Sequence, residues 1–479
     1  MPARRTRLTP SAAQSDLATS LARLRGAMEL PEGFPPAVAA EAEAVAARLA
    51  AETAGADRVD LTDVELCTID PAGSSDLDQA MHLERAGDGY RLRYAIADLP
   101  AVVRPGGPID DEARRRGQTL YAADGTIPLH PPVLANGAAS LLPGQLRRAY
   151  VWTFDLDARA AVTGTRIERA TVRSRRQWSY VEAQAALGTP DAAGTIELLA
   201  ELGPKRLTLE AARGGASLSA PEEEIVADVG GYQIERRVPV PLEEWNAQVS
   251  LLTGMAAAQL MLDAGIGLLR TMPPADADAI AGFRAQVAQL GRPWPSSVAY
   301  GDYLRGLDRT SPRTAAILQA ASALFRGADY LAFDGAPPAQ PLQAAIAAPY
   351  AHATAPLRRL GDRWSLALCE AIANGRAVPG WARDSLPSIP AIMRESGARA
   401  SRLEAASIDR VEAALLSARI GETFDAVVIA ASRSGIRVQL DEPFVTTSVP
   451  GAAARPGEVV RVRVDGTDID AGLVELSLR

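Results

Sequence analysis

The stretch Thr68-Ile-Asp70-Pro71-Ala-Gly73-Ser-Ser-Asp76-Leu-Asp78-Gln79-Ala80 limits what this chain can be more than any other part of it. Three carboxylates fall close together, and Pro71 and Gly73 interrupt any helix that would spread them apart. Like charges a few ångströms apart repel strongly unless cations lie between them. Carboxylate oxygens are hard ligands suited to Mg²⁺ or Mn²⁺, ions that also take phosphate oxygens. Alone, the turn reads equally well as a polar surface turn or a calcium loop.

The 479 residues suffice for two or three domains and at least one large core. Cys67 and Cys369 are the only cysteines, so a disulfide scaffold is excluded and a reducing cytoplasm is the expected compartment. Cys67, in an apolar run, reads as a buried strand residue. No apolar run approaches a bilayer's thickness, and the basic N-terminus lacks the apolar stretch of a secretory signal. The net charge of −8 does not exclude nucleic acid, because binding depends on where the cations lie. Lys205 is the only lysine, which leaves a chain stocked with arginine for planar phosphate contacts.

Along the chain, residues 11–28 and 36–54 read as alanine-rich helices separated by Pro31-Glu-Gly-Phe-Pro-Pro. Short strands follow at residues 65–69, 90–97 and 150–156. Residues 243–269 read as one long apolar helix whose Gly254 and Ala256–Ala258 suit close packing. Another helix spans residues 393–418, and four strand signals between 421 and 479 predict a small closed barrel of OB type. There Phe424, Phe444, Arg433 and Arg437 are candidates for an RNA-binding face.

A second cluster, Tyr350-Ala-His352-Ala-Thr354-Ala-Pro356-Leu-Arg358-Arg359, precedes a helical run at 364–373. Pro356 suits the first turn of that helix, whose N–H groups and Arg358 would address a phosphate; an ordinary helix start with solvated arginines is the alternative. With the acidic turn, this cluster resembles the RNase II family of RNB-domain exoribonucleases. Thr68-Ile-Asp70…Asp76-Leu-Asp78-Gln79-Ala80 is similar to its first signature and Tyr350…Arg359 to its second. Tyr94-Ala-Ile-Ala-Asp98 and Thr119-Leu-Tyr121…Ile127-Pro128-Leu-His-Pro131 lie between them in the family's order.

The resemblance implies an α+β protein: a small helical N-terminal module of helix-turn-helix type (1–58), an RNB catalytic domain (59–418) and an S1-type OB domain (419–479). It implies a cytoplasmic, monomeric 3′→5′ exoribonuclease that hydrolyses single-stranded RNA to 5′-mononucleotides with two Mg²⁺ or Mn²⁺ ions and no small-molecule cofactor. Asp70, Asp76 and Asp78 are the implied catalytic metal ligands, with Gln79 a weaker one. Arg358 is the implied phosphate clamp, and Tyr121 the aromatic that stacks on the last bases. Arg359, His352 and Tyr350 are further RNA-contact candidates, with a salt bridge or a structural histidine as the alternatives. His82 and His130 read as structural, and Arg114–Arg116, Arg173/Arg175/Arg176 and Arg236–Arg237 as solvated charge. Two departures stand out. Gln79 occupies the place of the family's fourth aspartate, and residues 1–58 are too few for two cold-shock-type domains. The first raises a rival, an RNA-binding protein on a weakened nuclease scaffold; a DNA exonuclease is a second.

Overall fold

The computed structural model describes residues 4–7, 11–51, 58–192, 194–216, 222–228, 231–237, 239–308, 312–322, 324–441 and 444–479. At its centre five strands form a closed barrel: β1 (Val59–Asp70), β2 (Gln79–Ala86), β3 (Gly89–Ala97), β4 (Leu146–Leu156) and β5 (Val162–Ser179). Successive strands pair antiparallel, and β5 returns parallel to β1, from Ala170 opposite Val59 to Ser179 opposite Asp70. Alternation sorts the side chains. Ala80, Ala95, Ala149 and Ala170 pack with Leu66, Leu77, Val151 and Val172, because so few strands enclose little space. Met81, Tyr94, Trp152 and Phe154 lie on the other face and join the helices in the main core. The sequence reading missed β5, whose arginines obscure its apolar alternation.

Two helices flank this core. α3 (Pro241–Ala264) ends at Gly265, whose φ of 72° suits glycine, and the chain continues as a strand, Ile266–Thr271, paired with Asp329–Asp334. The helix expected through 269 is therefore shorter, since an apolar run does not by itself distinguish a buried helix from a buried strand. α4 (Leu360–Ala373) starts at Leu360 with Arg359 as its N-cap, so Pro356 lies before the helix and not in its first turn.

The N-terminal helices do not form a common module. α1 (Ser11–Ala27) buries Leu17 and Leu21 against Val411, Ala414 and Leu415 of α5 (Ile389–Ser417). α2 (Pro36–Ala51) buries Val38 and Ala42 against Leu99, Val103, Ile109 and Leu134 beside the barrel. Among the described residues each helix braces a different part of the large domain, and residues Arg4–Arg7 form a strand paired with Gly231–Arg237. This departs from the expected helix-turn-helix unit.

The tail forms five strands, β6 (Thr423–Ser432), β7 (Gly435–Asp441), β8 (Phe444–Pro450), β9 (Val459–Asp468) and β10 (Leu473–Leu478), in the order β8-β7-β6-β9-β10. Val428, Val438, Leu440, Val445, Val462 and Val464 fill its core together with Leu416 from the end of α5. β8 escaped the sequence reading because Thr446-Thr447-Ser448 interrupts its apolar signal. Phe424 packs against this core, and the Arg419 guanidinium lies 4.5 Å from its ring centroid, so it is not a free stacking platform. The side chain of Phe444 lies outside the described residues.

Candidate active site

The acidic turn leaves β1 at Asp70 and re-enters the barrel at Gln79. Its backbone is tied down by polar groups from elsewhere. The Gln177 amide donates to the Ser74 carbonyl (2.7 Å), the Ser140 hydroxyl donates to the Ser75 carbonyl (2.7 Å), and the Leu77 N–H donates to that hydroxyl (2.9 Å). Leu77 is fully buried, which turns the flanking Asp76 and Asp78 to a common region.

Asp78 is buried, and it meets the arginine loop there. The Leu357 N–H donates to Oδ1 at 2.7 Å and the Arg358 Nε to Oδ2 at 3.3 Å. Burial pushes the Asp78 carboxyl up to about 7; Arg358 and the Leu357 N–H pull it back, and Asp362 and Asp76 push it further. Asp70 behaves alike: burial and the charge of Asp76 outweigh Arg358, and its carboxyl rises to about 6. Its Oδ2 is buried without a hydrogen-bond partner. Asp76 is half-buried, and its charge reaches both.

The loop carrying Arg358 owes its shape to Asp362, to which the sequence gives no role, and to His130, which is structural as expected. Asp362, fully buried on α4, accepts on Oδ2 from the N–H groups of Thr354 (3.0 Å) and Ala355 (2.7 Å) and from Arg359 Nη2 (2.9 Å). The buried His130 donates to the Pro356 carbonyl, and burial holds its imidazole down to about 3. The Thr119 N–H donates to the Arg358 carbonyl and the Leu360 N–H to the Gly117 carbonyl. Asp362 stood three residues past Arg359 in the sequence; the signal was an acid in the first turn of a helix, where it can face N–H groups. The N–H groups that follow Pro356, expected to address a phosphate, are already taken: Leu357 donates to Asp78, Arg358 and Arg359 to the Ala355 carbonyl, and Leu360 to the Gly117 carbonyl.

The expected RNA contacts separate into two sets. Arg358 keeps 46% of its side chain exposed, and Tyr121, on the hairpin Leu120–Ala122 and Gly125–Ile127, is 55% exposed and hydrogen-bonds to Arg358. These two face solvent together. Arg359 turns inward to Asp362. Tyr350 is buried against Gly254, where an added Cβ would lie 2.1 Å from its ring. His352 accepts or donates 2.6 Å from the Tyr330 hydroxyl and stacks edge-on against Tyr350, and burial keeps it neutral, well below its ordinary range. Tyr350, His352 and Arg359 thus shape the loop from behind: the salt bridge and the structural histidine expected as alternatives are what Arg359 and His352 form, and Tyr350 departs from the RNA contact expected of it. Arg114 and Arg116 are likewise committed, to Asp110 and Glu112, and are not loose surface charge. Gln79 sits between the two clusters: its amide donates to the Thr354 carbonyl and its carbonyl accepts from the Tyr94 hydroxyl, both at 2.7 Å.

Residues 58–372 match the RNB domain, and residues 422–479 match the RNase II-type exonuclease C-terminal S1 domain. The chain belongs to the RNB-domain family. Ribonuclease R of Escherichia coli is 27% identical over 94% of this chain and 61% of its own length, and that of Acidithiobacillus ferrooxidans is 37% identical over 36% and 38%. The chain therefore spans less than two thirds of these curated relatives. The RNase R of Mycoplasma genitalium superposes with a TM-score of 0.84 at 19% identity, over 97% of this chain and 78% of its own. The yeast pseudonuclease Ssd1 superposes at 0.67 and 16% identity, over 82% and 50%. At these identities the likeness is one of fold.

The RNB domain of this chain fits a divalent ion by the chemistry of its donors. The buried carboxyl of Asp78 and the half-buried one of Asp70, the latter with an orphaned oxygen, are held where desolvation and repulsion from Asp76 oppose their charge, and a cation would relieve both. Among the described residues no three acidic, imidazole or thiol side chains gather closely enough to enclose an ion by themselves. Mg²⁺ does not require that, since it commonly takes one or two carboxylates and completes its shell with water and phosphate oxygens. Among the described residues no helix is long and apolar enough to cross a membrane.

Proposed function

We propose that this chain is a divalent-metal-dependent 3′→5′ exoribonuclease that releases 5′-mononucleotides from single-stranded RNA. The observation that carries the reading is the bracketing of Asp78 by the Leu357 N–H and the Arg358 guanidinium, across 279 residues of sequence. In this reading Asp70, Asp76 and Asp78 hold the metal ions. A bound pair of ions supplies charge neutralisation at the phosphate and an activated water. The chain's own residues do the rest. Arg358, half exposed and anchored by Asp78, presents its remaining N–H groups to the scissile phosphate and is preorganised for charge that develops there. Tyr121 beside it offers a ring face to the terminal bases, and stacking is tolerant of base identity. The loop behind Arg358 is held by Asp362, Asp78, His130 and Gln79, so the cation needs little reorganisation when RNA arrives.

The test is decay of 5′-labelled RNA and of the same DNA sequence in Mg²⁺ or Mn²⁺, for the wild type and for Asp78→Asn. A metal-dependent ladder on RNA alone, lost in Asp78→Asn, supports the reading. A second reading, RNA binding without turnover, draws on Gln79 at an aspartate position and on a pseudonuclease of the same fold. Retained RNA affinity with no product in either metal would favour it.

A further inference from the structure

Gln79 stands where the signature this chain resembles carries an aspartate, and both ends of its side-chain amide are hydrogen-bonded. Thr354 is buried and its carbonyl can only accept, so the atom 2.7 Å from it must be the Gln79 amide nitrogen. That fixes the other end: the Gln79 carbonyl oxygen accepts from the Tyr94 hydroxyl at 2.7 Å. Tyr94 in turn lies 2.9 Å from the Ser250 hydroxyl on α3, whose proton is free to point to it. Ser250, Tyr94, Gln79 and Thr354 form one chain of donors and acceptors with a single consistent direction. It runs from α3, through the barrel, to the loop that carries Arg358. On the far side of the same loop Asp362 holds the Thr354 N–H.

We propose that Gln79 is a positioning residue, a neutral crossbar that holds the Thr354–Arg358 loop over Asp78, and that it does not take part in metal binding. The inference rests on the exoribonuclease reading above and concerns how this chain differs from its family. An aspartate at this place has no N–H to give and is one methylene shorter. It would leave the buried Thr354 carbonyl unpaired and add a like charge beside Asp70 and Asp78. Restoring the family residue should therefore harm this enzyme. The chain has fitted its barrel and loop to the amide.

The experiment compares wild type, Gln79→Asp, Gln79→Met and Tyr94→Phe in the full chain. Four quantities are measured: RNA decay under single turnover, RNA affinity without metal, Mn²⁺ affinity by calorimetry, and the urea midpoint. The crossbar predicts that Gln79→Asp and Gln79→Met cleave about tenfold more slowly with RNA affinity unchanged. It also predicts that Gln79→Asp binds Mn²⁺ no more tightly than wild type. Adding Tyr94→Phe to Gln79→Met should cost nothing further, because both cut the same chain. Faster cleavage together with tighter Mn²⁺ binding in Gln79→Asp would overturn the proposal, as would full activity in Gln79→Met. Should either Gln79 variant fail to fold, Tyr94→Phe decides: slower cleavage at unchanged RNA affinity supports the crossbar, and wild-type cleavage overturns it. Should the wild type not cleave RNA, the exoribonuclease reading fails while the crossbar is still judged. A lowered urea midpoint without tighter Mn²⁺ binding in Gln79→Asp upholds it, and tighter binding overturns it.

Discussion

The arginine loop and the C-terminal sheet both present cations, and they hold them in opposite ways. Around the loop, buried side chains fix the backbone: Asp362 and Asp78 accept from its N–H groups, and His130 and Gln79 donate to its carbonyls. In the tail, Arg433 and Arg437 stand exposed, and the pair Arg461–Asp425, at 3.7 Å, has side chains 69% and 76% exposed. Exposed pairs of that kind contribute about 0–1 kcal/mol, whereas breaking a buried one costs about 3–5 kcal/mol. One region holds its cation in a single geometry, which in the proposed reading serves one phosphate. In the same reading the other would suit contacts that slide along a backbone of any sequence.

That contrast can be broken at its strongest point first. Asp78→Asn should lower RNA decay about a thousandfold in a single-turnover assay while leaving RNA affinity within a few-fold, because the loss falls on charge stabilisation and metal binding. Decay within tenfold of wild type would remove Asp78 from the centre of the site. Arg358→Lys keeps the charge but loses the planar fork, and about a hundredfold loss is expected. Asp362→Ala leaves two peptide N–H groups and Arg359 without their acceptor; it should destabilise the RNB domain by about 3 kcal/mol in urea titration.

The pH dependence sharpens the same comparison. Asp78 and Asp70, raised to about 7 and about 6, favour the folded metal-free chain when protonated. Their contribution is fully present below the unfolded carboxyl range and is lost as pH rises through 6 to 7. Urea midpoints of the metal-free chain should therefore fall between pH 5 and pH 8, and Asp78→Asn should flatten that fall. The smallest effect is expected in the tail: Arg437→Ala should reduce the salt slope of RNA binding by about one and leave the cleavage rate unchanged.

Much of this was legible in the sequence for a physical reason. Short-range signals survive folding: the Pro–Gly break of the acidic turn, the alternation of Tyr90–Ala97, and the small residues around Gly254 that admit the Tyr350 ring. What was illegible is whatever depends on a partner far along the chain. No local pattern says that Asp78 meets Leu357 and Arg358, that His130 reaches Pro356, or that Gln79 spans from Tyr94 to Thr354. For His352 and Arg359 the sequence leaves an RNA contact and a structural role equally open, and Tyr350 is placed at the RNA, because a motif names residue types without the direction in which they point. β5 and β8 were missed because arginine, threonine and serine diluted the apolar alternation on which strand reading depends.

The distance between Asp78 and its two partners also has a meaning in time. At about 5–20 residues per second, synthesis of that span takes on the order of tens of seconds. Through that interval the barrel strands can pair while the aspartate waits for Leu357 and Arg358, so a half-made chain carries the acids without the cation that orders them. If the chain is the nuclease proposed above, such an intermediate, still attached to the message that encodes it, would lack the means to cut it.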